Sequence, residues 1–246
     1  MDESPLAAAR FLRSIRLERE RVPSFDEYPF SIPAITALDD IALDPRVTFF
    51  VGDNGSGKST LVEAIAVLAG FNAEGGTNNF SFSTRRSESV LRQYMRIARG
   101  PQRPRSQFFL RAESYFNVAT EIERIGVVDS YGGVSPHEQS HGESFLALLN
   151  HKFRDHGLYI LDEPEAALSP QRQLSMLARM RTLVDEGSQF LIATHSPILM
   201  AFPDALIYHL SPKGIERVAY EDTEHFLITR DFLNNRERYF KHLFSE

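Results

Sequence analysis

With 246 residues, 42% of them apolar and 24% charged, the chain suits one large globular domain or two small ones with a substantial core. Its net charge of −6 argues against a general polyanion binder, and 23 of the 27 cationic residues are Arg. The lack of cysteine excludes disulfides, thiolate zinc sites and thiol catalysis; no signal-peptide core and no run near the roughly 20 apolar residues of a membrane span is found, so a soluble, cytoplasmic protein is expected.

Residues 14–21 alternate apolar and charged side chains and predict an edge strand. Val47-Thr48-Phe49-Phe50-Val51 reads as a short buried strand, and residues 61–68 carry apolar side chains at helical spacing straight after it. Between the two stands Gly52-Asp53-Asn54-Gly55-Ser56-Gly57-Lys58-Ser59, a full match to G-x-x-x-x-G-K-[ST] in the strand-then-helix setting that motif needs. The glycines let backbone N–H groups turn toward phosphate oxygens, and the helix N-terminus adds its dipole. Lys58 would neutralise the β- and γ-phosphates, and Ser59, followed by Thr60, would hold Mg²⁺ through its hydroxyl. A nucleotide site is the expectation, with ATP and Mg²⁺ as its occupants.

Residues 71–157 are mixed polar and helical in character and predict an inserted, largely helical lobe. The core is expected at about 1–70 and 158–246, so that residues 1–246 form a single domain. Within the insert, Arg92, Arg96 and Arg99, with Arg85 in phase, fall on one side of a predicted helix whose other side carries Leu91, Tyr94, Met95 and Ala98. Residues 85–111 hold eight Arg against one acid, Glu88. That interval is a candidate surface for nucleic acid or an acidic partner, weighed against a solvated face or a contact between subunits.

His137-Glu138-Gln139-Ser140-His141 fits the zinc-protease pattern H-E-x-x-H. That reading needs a helix through both histidines, yet Pro136 precedes the segment and Gly142 closes it; it also needs a third ligand and leaves the phosphate loop unexplained. Read three residues on, Ser140-His141-Gly142-Glu143 before an apolar run is a phosphate-facing loop that opens a helix.

Leu158-Tyr159-Ile160-Leu161 is a second buried strand and ends in Asp162-Glu163. A magnesium nucleotide needs such a carboxylate anchor: Asp162 would hold the ion and Glu163 would activate the attacking water, with Glu165 as a competitor for that role. Buried without a cation, these acids would carry a heavy desolvation cost. A helix over 171–184 and a strand over 189–193 follow, so the pattern is α/β with a mainly parallel sheet covered on both faces. The tail predicts a strand pair (205–210 and 214–220) and a helix from about 229 to 243. Phe232, Leu233, Phe240 and Leu243 would form its apolar stripe, packed on the core.

The loop Gly52–Ser59, the strand 158–161 with Asp162, Glu163 and Pro164, the segment Ser140–Glu143 and Ala193-Thr194-His195-Ser196-Pro197 together resemble the ABC-type ATPases in order and spacing. The resemblance implies a P-loop NTPase fold with Walker A and Walker B motifs, antiparallel edge strands and ATP hydrolysis with Glu163, His195 and Lys58 in catalytic roles. It also implies a head-to-tail homodimer in which Ser140, Gly142 and Glu143 of one copy meet the ATP held by the other. Gln139 in place of the leucine that usually opens the signature, Glu143 in place of glutamine, and the missing aspartate after Leu168 depart from the transporter pattern. The form resembles soluble members of the class instead, such as the recombination-repair and overcoming-lysogenization-defect ATPases. The resemblance leaves the glutamine loop between Gln107 and Glu113, the latter as a metal contact. It leaves the adenine contact between Tyr28 and arginines near Arg13. A transporter subunit, a non-hydrolysing switch and, more distantly, a small-molecule kinase are the alternatives; an unknown protein partner is expected for the first reading.

Overall fold

The computed structural model describes residues 11–72, 90–111 and 141–244. Among the described residues nine strands form two sheets. In chain order they are β1 (Leu12–Leu17), β2 (Asp40–Ala42), β3 (Val47–Val51), β4 (Met95–Arg99), β5 (Ser106–Arg111), β6 (Gly157–Asp162), β7 (Gln189–Ala193), β8 (Leu206–Ser211) and β9 (Gly214–Val218). The described helices are α1 (Pro33–Thr36), α2 (Lys58–Ala69), α3 (His141–His151), α4 (Pro170–Asp185), α5 (Pro197–Met200), α6 (Glu224–Asn234) and α7 (Arg236–Leu243).

The larger sheet runs β5-β6-β7-β3-β8-β9, parallel throughout except for the antiparallel β8–β9 hairpin at one edge. β3, β6 and β7 are buried at every position, as strands covered on both faces must be. Alternation divides each strand between two apolar clusters. Phe49, Tyr159, Phe190 and Ile192 face Phe145 and Leu148 of α3 and Met176 and Met180 of α4. Phe50, Ile160, Leu191 and Ala193 face Leu61, Val62 and Ile65 of α2, with Leu12, Ile15 and Met95 of the small sheet beyond. At the heart of the first cluster Phe153 stacks on Tyr159 at 4.0 Å between ring centroids, and Tyr159 meets Phe190 at 5.1 Å. Truncating Phe153 to Ala should therefore cost about 3–5 kcal/mol, read as a lower denaturant midpoint at unchanged slope.

Several expectations need correction. β1 is the central strand of a three-stranded antiparallel sheet ordered β2-β1-β4, not an edge strand. The arginine helix does not exist: Val90–Tyr94 is a 3-10 turn and Met95–Arg99 is β4, paired in register with β1. Its residues also fit a helix by spacing; pairing with β1, which puts Ile97 opposite Ile15, decides against that. Arg85 lies outside the described residues. Arg96 pairs with Glu18 at 3.0 Å, Arg99 donates to the Leu68 carbonyl, and Arg105 pairs with Asp155. Within the interval 71–157, expected as a largely helical lobe, β4 and β5 belong to the two sheets.

The tail also differs. It is two helices, α6 and α7, broken at Asn235, where Asp231 accepts from Tyr239, Asn235 and Arg238. Phe232 and Phe240 pack edge to face at 6.0 Å, but Leu233 and Leu243 are each 66% exposed. The stripe folds upon itself rather than onto the core. Among the described residues no helix is long and apolar enough to cross a membrane.

Candidate functional site

The C-terminal ends of β3, β6 and β7 lie side by side, the edge where ligands collect in parallel sheets. Each delivers one predicted element. After β3 the chain turns through Gly52, whose φ of +143° and 2.1 Å spacing between an added Cβ and the Leu210 carbonyl oxygen leave room only for glycine. Asp53, Asn54, Gly55 and Ser56 then line a cavity of about 280 Å³ that also takes in His209 and Glu224. Gly57 sits in the left-handed region just before α2, so its own loop hands the chain directly to Lys58.

Lys58 is buried and its Nζ donates to the carbonyls of Gly52 and Asp53, both at 2.9 Å. Burial pulls its pKa down, while the carboxylates of Glu163, Asp162 and Asp53 pull the other way. Next to it the Ser59 hydroxyl donates to Asp162 Oδ1 at 3.0 Å, so the P-loop helix and β6 meet at this pair. A hydroxyl and a nearly buried carboxylate at one point are the hard oxygen donors magnesium takes, its remaining positions falling to phosphate and water. Among the described residues no group of three or more His, Cys, Asp or Glu is placed to hold a metal alone.

Glu163 follows in the left-handed region (φ +51°), a conformation non-glycine residues adopt at a cost and that collects at functional sites. Its backbone N–H donates to the Ala193 carbonyl, and its Oε1 lies 3.4 Å from His195 Nε2. Glu165 is engaged differently: its Oε1 accepts the backbone N–H of His195 at 2.6 Å. The structure thus divides the competing acids: Glu163 faces the imidazole, while Glu165 braces the loop beneath it. Glu165→Gln keeps that acceptor, so turnover should stay within about tenfold of wild type, whereas Glu165→Ala should lose more; phosphate release checks both.

His137 and Glu138, Ser140 and Glu113 lie outside the described residues. α3 opens at His141, directly after Ser140, so Gly142 starts a helix instead of ending one. Gly142 is buried: an added Cβ would stand 2.9 Å from the Ala167 carbonyl oxygen and 2.4 Å from Arg172 Nη1. Glu143 pairs with Arg172 at 3.1 Å. These residues are grouped with the start of α4, across the sheet from α2, so this chain does not bring them to its own phosphate loop. Gln107 pairs with Leu158 at the far end of β5 from Asp162 and is no neighbour of the site. Tyr28 is 72% exposed and its hydroxyl lies 3.2 Å from Thr60 Oγ1, beside the loop. Arg13 is exposed on β1.

Sequence reasoning missed three neighbours. Arg111 comes opposite Asp162 only through the β5–β6 register; it pairs with Glu63 at 2.8 Å and its Nε is 3.9 Å from Asp162. His225, thirty residues beyond His195 on α6, places Nε2 3.0 Å from His195 Nδ1. Arg172 ties the starts of α3 and α4 together. No local pattern marks any of them, because each arrives by tertiary pairing.

The chain is similar to several known proteins. Residues 34–127 match a family described as "AAA domain", and residues 105–201 match one described as "AAA domain, putative AbiEii toxin, Type IV TA system". The chain is 25% identical to the energy-coupling factor transporter ATP-binding protein EcfA2 of Leuconostoc mesenteroides over 70% of each chain. To EcfA2 of Lactococcus lactis it is 24% identical over 74% of this chain and 70% of that one. Among solved structures, the SMC head domain from Thermotoga maritima is similar at a TM-score of 0.49 and 17% identity, over 85% of this chain and 99% of that one.

Proposed function

We propose that this chain, a P-loop NTPase of the ABC/AAA type, binds Mg-ATP between Gly52 and Thr60 and hydrolyses it, acting as a head-to-tail pair of identical copies. One observation carries the reading: the Ser59–Asp162 pair stands beside Lys58, with Glu163 and His195 facing each other across the same strand ends. The whole chain serves as one nucleotide-binding unit, in the cytoplasm.

The loop N–H groups and Lys58 would bind the β- and γ-phosphates, and Tyr28 beside Thr60 would flank the nucleotide. Ser59 and Asp162 would hold magnesium, which when bound neutralises phosphate charge and polarises the γ-phosphoryl group. Glu163 would orient a water and take its proton. His195 Nε2 would donate to the γ-phosphate, and loss of that acceptor on hydrolysis would be felt through the Glu165 brace on its backbone. Gly142 and Glu143 lie across the sheet from this copy's own loop, so a partner's Ser140 and Gly142 N–H would supply donors to the second face of the γ-phosphate. The consequence is mechanical: ATP favours the closed pair and its loss favours opening, work delivered to a protein or nucleic-acid partner. Arg96 and Arg105 are paired with Glu18 and Asp155, which lessens the case for nucleic acid at that surface.

A second reading, the ATP-binding subunit of a membrane transporter, is favoured by the likeness to EcfA2. Co-purification with a membrane permease would select it. Ser140→Arg tests the pair directly. It should block Mg-ATP-dependent dimerisation in light scattering and lower phosphate release by at least about 100-fold, leaving ATP affinity within about twofold. Loss of ATP affinity in the variant would sink the role across subunits.

A further inference from the structure

We propose that His225 is a positioning residue for His195: its Nε2–H donates to His195 Nδ1 and so fixes the tautomer of His195 that carries its proton on Nε2, toward Glu163. The proposal rests on the ATPase reading above, for which His195 is the γ-phosphate donor.

The His195 imidazole and its backbone are held at two points and aimed at a third. Glu165 Oε1 takes the backbone N–H at 2.6 Å, His225 Nε2 stands 3.0 Å from Nδ1, and Glu163 Oε1 lies 3.4 Å from Nε2. His195 Nε2 is buried and makes no hydrogen bond among the described residues. Between two imidazoles at 3.0 Å one nitrogen must donate and the other accept. If His195 donated through Nδ1, a neutral ring would turn the Nε2 lone pair toward the Glu163 carboxylate, setting two acceptors face to face. With the proton on Nε2 the ring offers a donor to Glu163 and to a γ-phosphate, and Nδ1 is left to accept. His225 is then the donor.

The surroundings favour the neutral form of His225, and a neutral donor does not repel the phosphate site's cations. Burial pulls its pKa down first, then the neighbouring His195 and Lys58; Asp53 and Glu224 oppose this only in part. Its place is fixed from behind. α6 begins after Thr223, which is buried and donates to the Tyr220 carbonyl at 2.7 Å, while Phe226 packs on Tyr220 at 4.6 Å and Tyr220 in turn donates to the Pro197 carbonyl, two residues past His195. The tail helix is thus built onto the loop whose histidine it orients, as outer partners of metal-bound histidines set tautomer and ring direction.

The test uses the full chain with ¹⁵N-labelled histidine, the His195 ring signals being assigned against His195→Gln. Wild type and His225→Gln, whose amide keeps a donor at the same reach, should carry His195 with its proton on Nε2. His225→Leu should shift His195 toward mixed tautomers and lower the kcat of ATP hydrolysis about 10–100-fold with KM changed less than about threefold, while His225→Gln stays within about threefold of wild type. A wild-type His195 protonated on Nδ1, an unchanged tautomer in His225→Leu, or undiminished turnover in that variant overturns the proposal. If His225→Leu does not fold, the wild-type tautomer decides. If the wild-type chain releases no phosphate, the ATPase reading falls while the ring signals still judge the His225–His195 contact.

Discussion

Glu163→Gln should lower ATP turnover by about 10²–10⁴-fold while ATP still binds, and the protein should then run as a dimer in Mg-ATP on gel filtration. The substitution keeps the size of the side chain and a hydrogen-bonding group 3.4 Å from His195, but removes the atom able to take a proton from water. Backbone geometry is preserved as well, since the Glu163 N–H bond to the Ala193 carbonyl does not involve the side chain. Binding and pairing therefore survive and only the step that ends them is lost. A variant that turns over at the wild-type rate, or a larger loss in Glu165→Gln, would move the base from Glu163 to Glu165.

Lys58→Ala should weaken ATP binding by at least about 100-fold, roughly 2.8 kcal/mol, measured by titration calorimetry. Lys58 Nζ touches the Gly52 and Asp53 carbonyls at 2.9 Å and stands among the carboxylates of Asp53, Asp162 and Glu163. It is the cation that lets a polyphosphate enter this acidic surrounding. Without it the loop N–H groups and magnesium would have to hold that charge beside the carboxylates with no lysine between them, so removal costs affinity at the binding step itself. Lys58→Arg should not restore affinity: the buried Nζ sits between the Gly52 and Asp53 carbonyls, and a planar guanidinium does not replace a compact ammonium there. An alanine variant that binds ATP like wild type would show that the loop holds no phosphate.

The central sheet and the phosphate loop were legible because they are local. Val47–Val51, Gly157–Asp162 and Gln189–Ala193 are continuous buried runs, and the loop's glycines and lysine sit in one unbroken stretch. The β8–β9 hairpin agrees with the strand pair expected over 205–210 and 214–220. What failed depended on distant neighbours. Residues 95–99 fit a helix by spacing until β1 pairs with them, and Phe232 and Phe240 fit a core stripe until the chain breaks at Asn235. Arg111, Arg172 and His225 gained their places only when the sheet register and the α3, α4 and α6 starts were assembled. Glu163 and Glu165 were indistinguishable as letters; in the structure they differ in that the His195 backbone N–H donates to Glu165.

The sheet divides the interior into two compartments, and Phe49 and Phe50, joined by one peptide bond, belong to different ones. Side chains on opposite sides line no common void, so lesions on opposite sides should combine more nearly additively than lesions sharing a side. Adjacency along the chain is therefore a poor guide to epistasis here. The glycines of the phosphate loop lean on that second compartment, Gly57 against Ile32 and Gly52 against the Leu210 carbonyl.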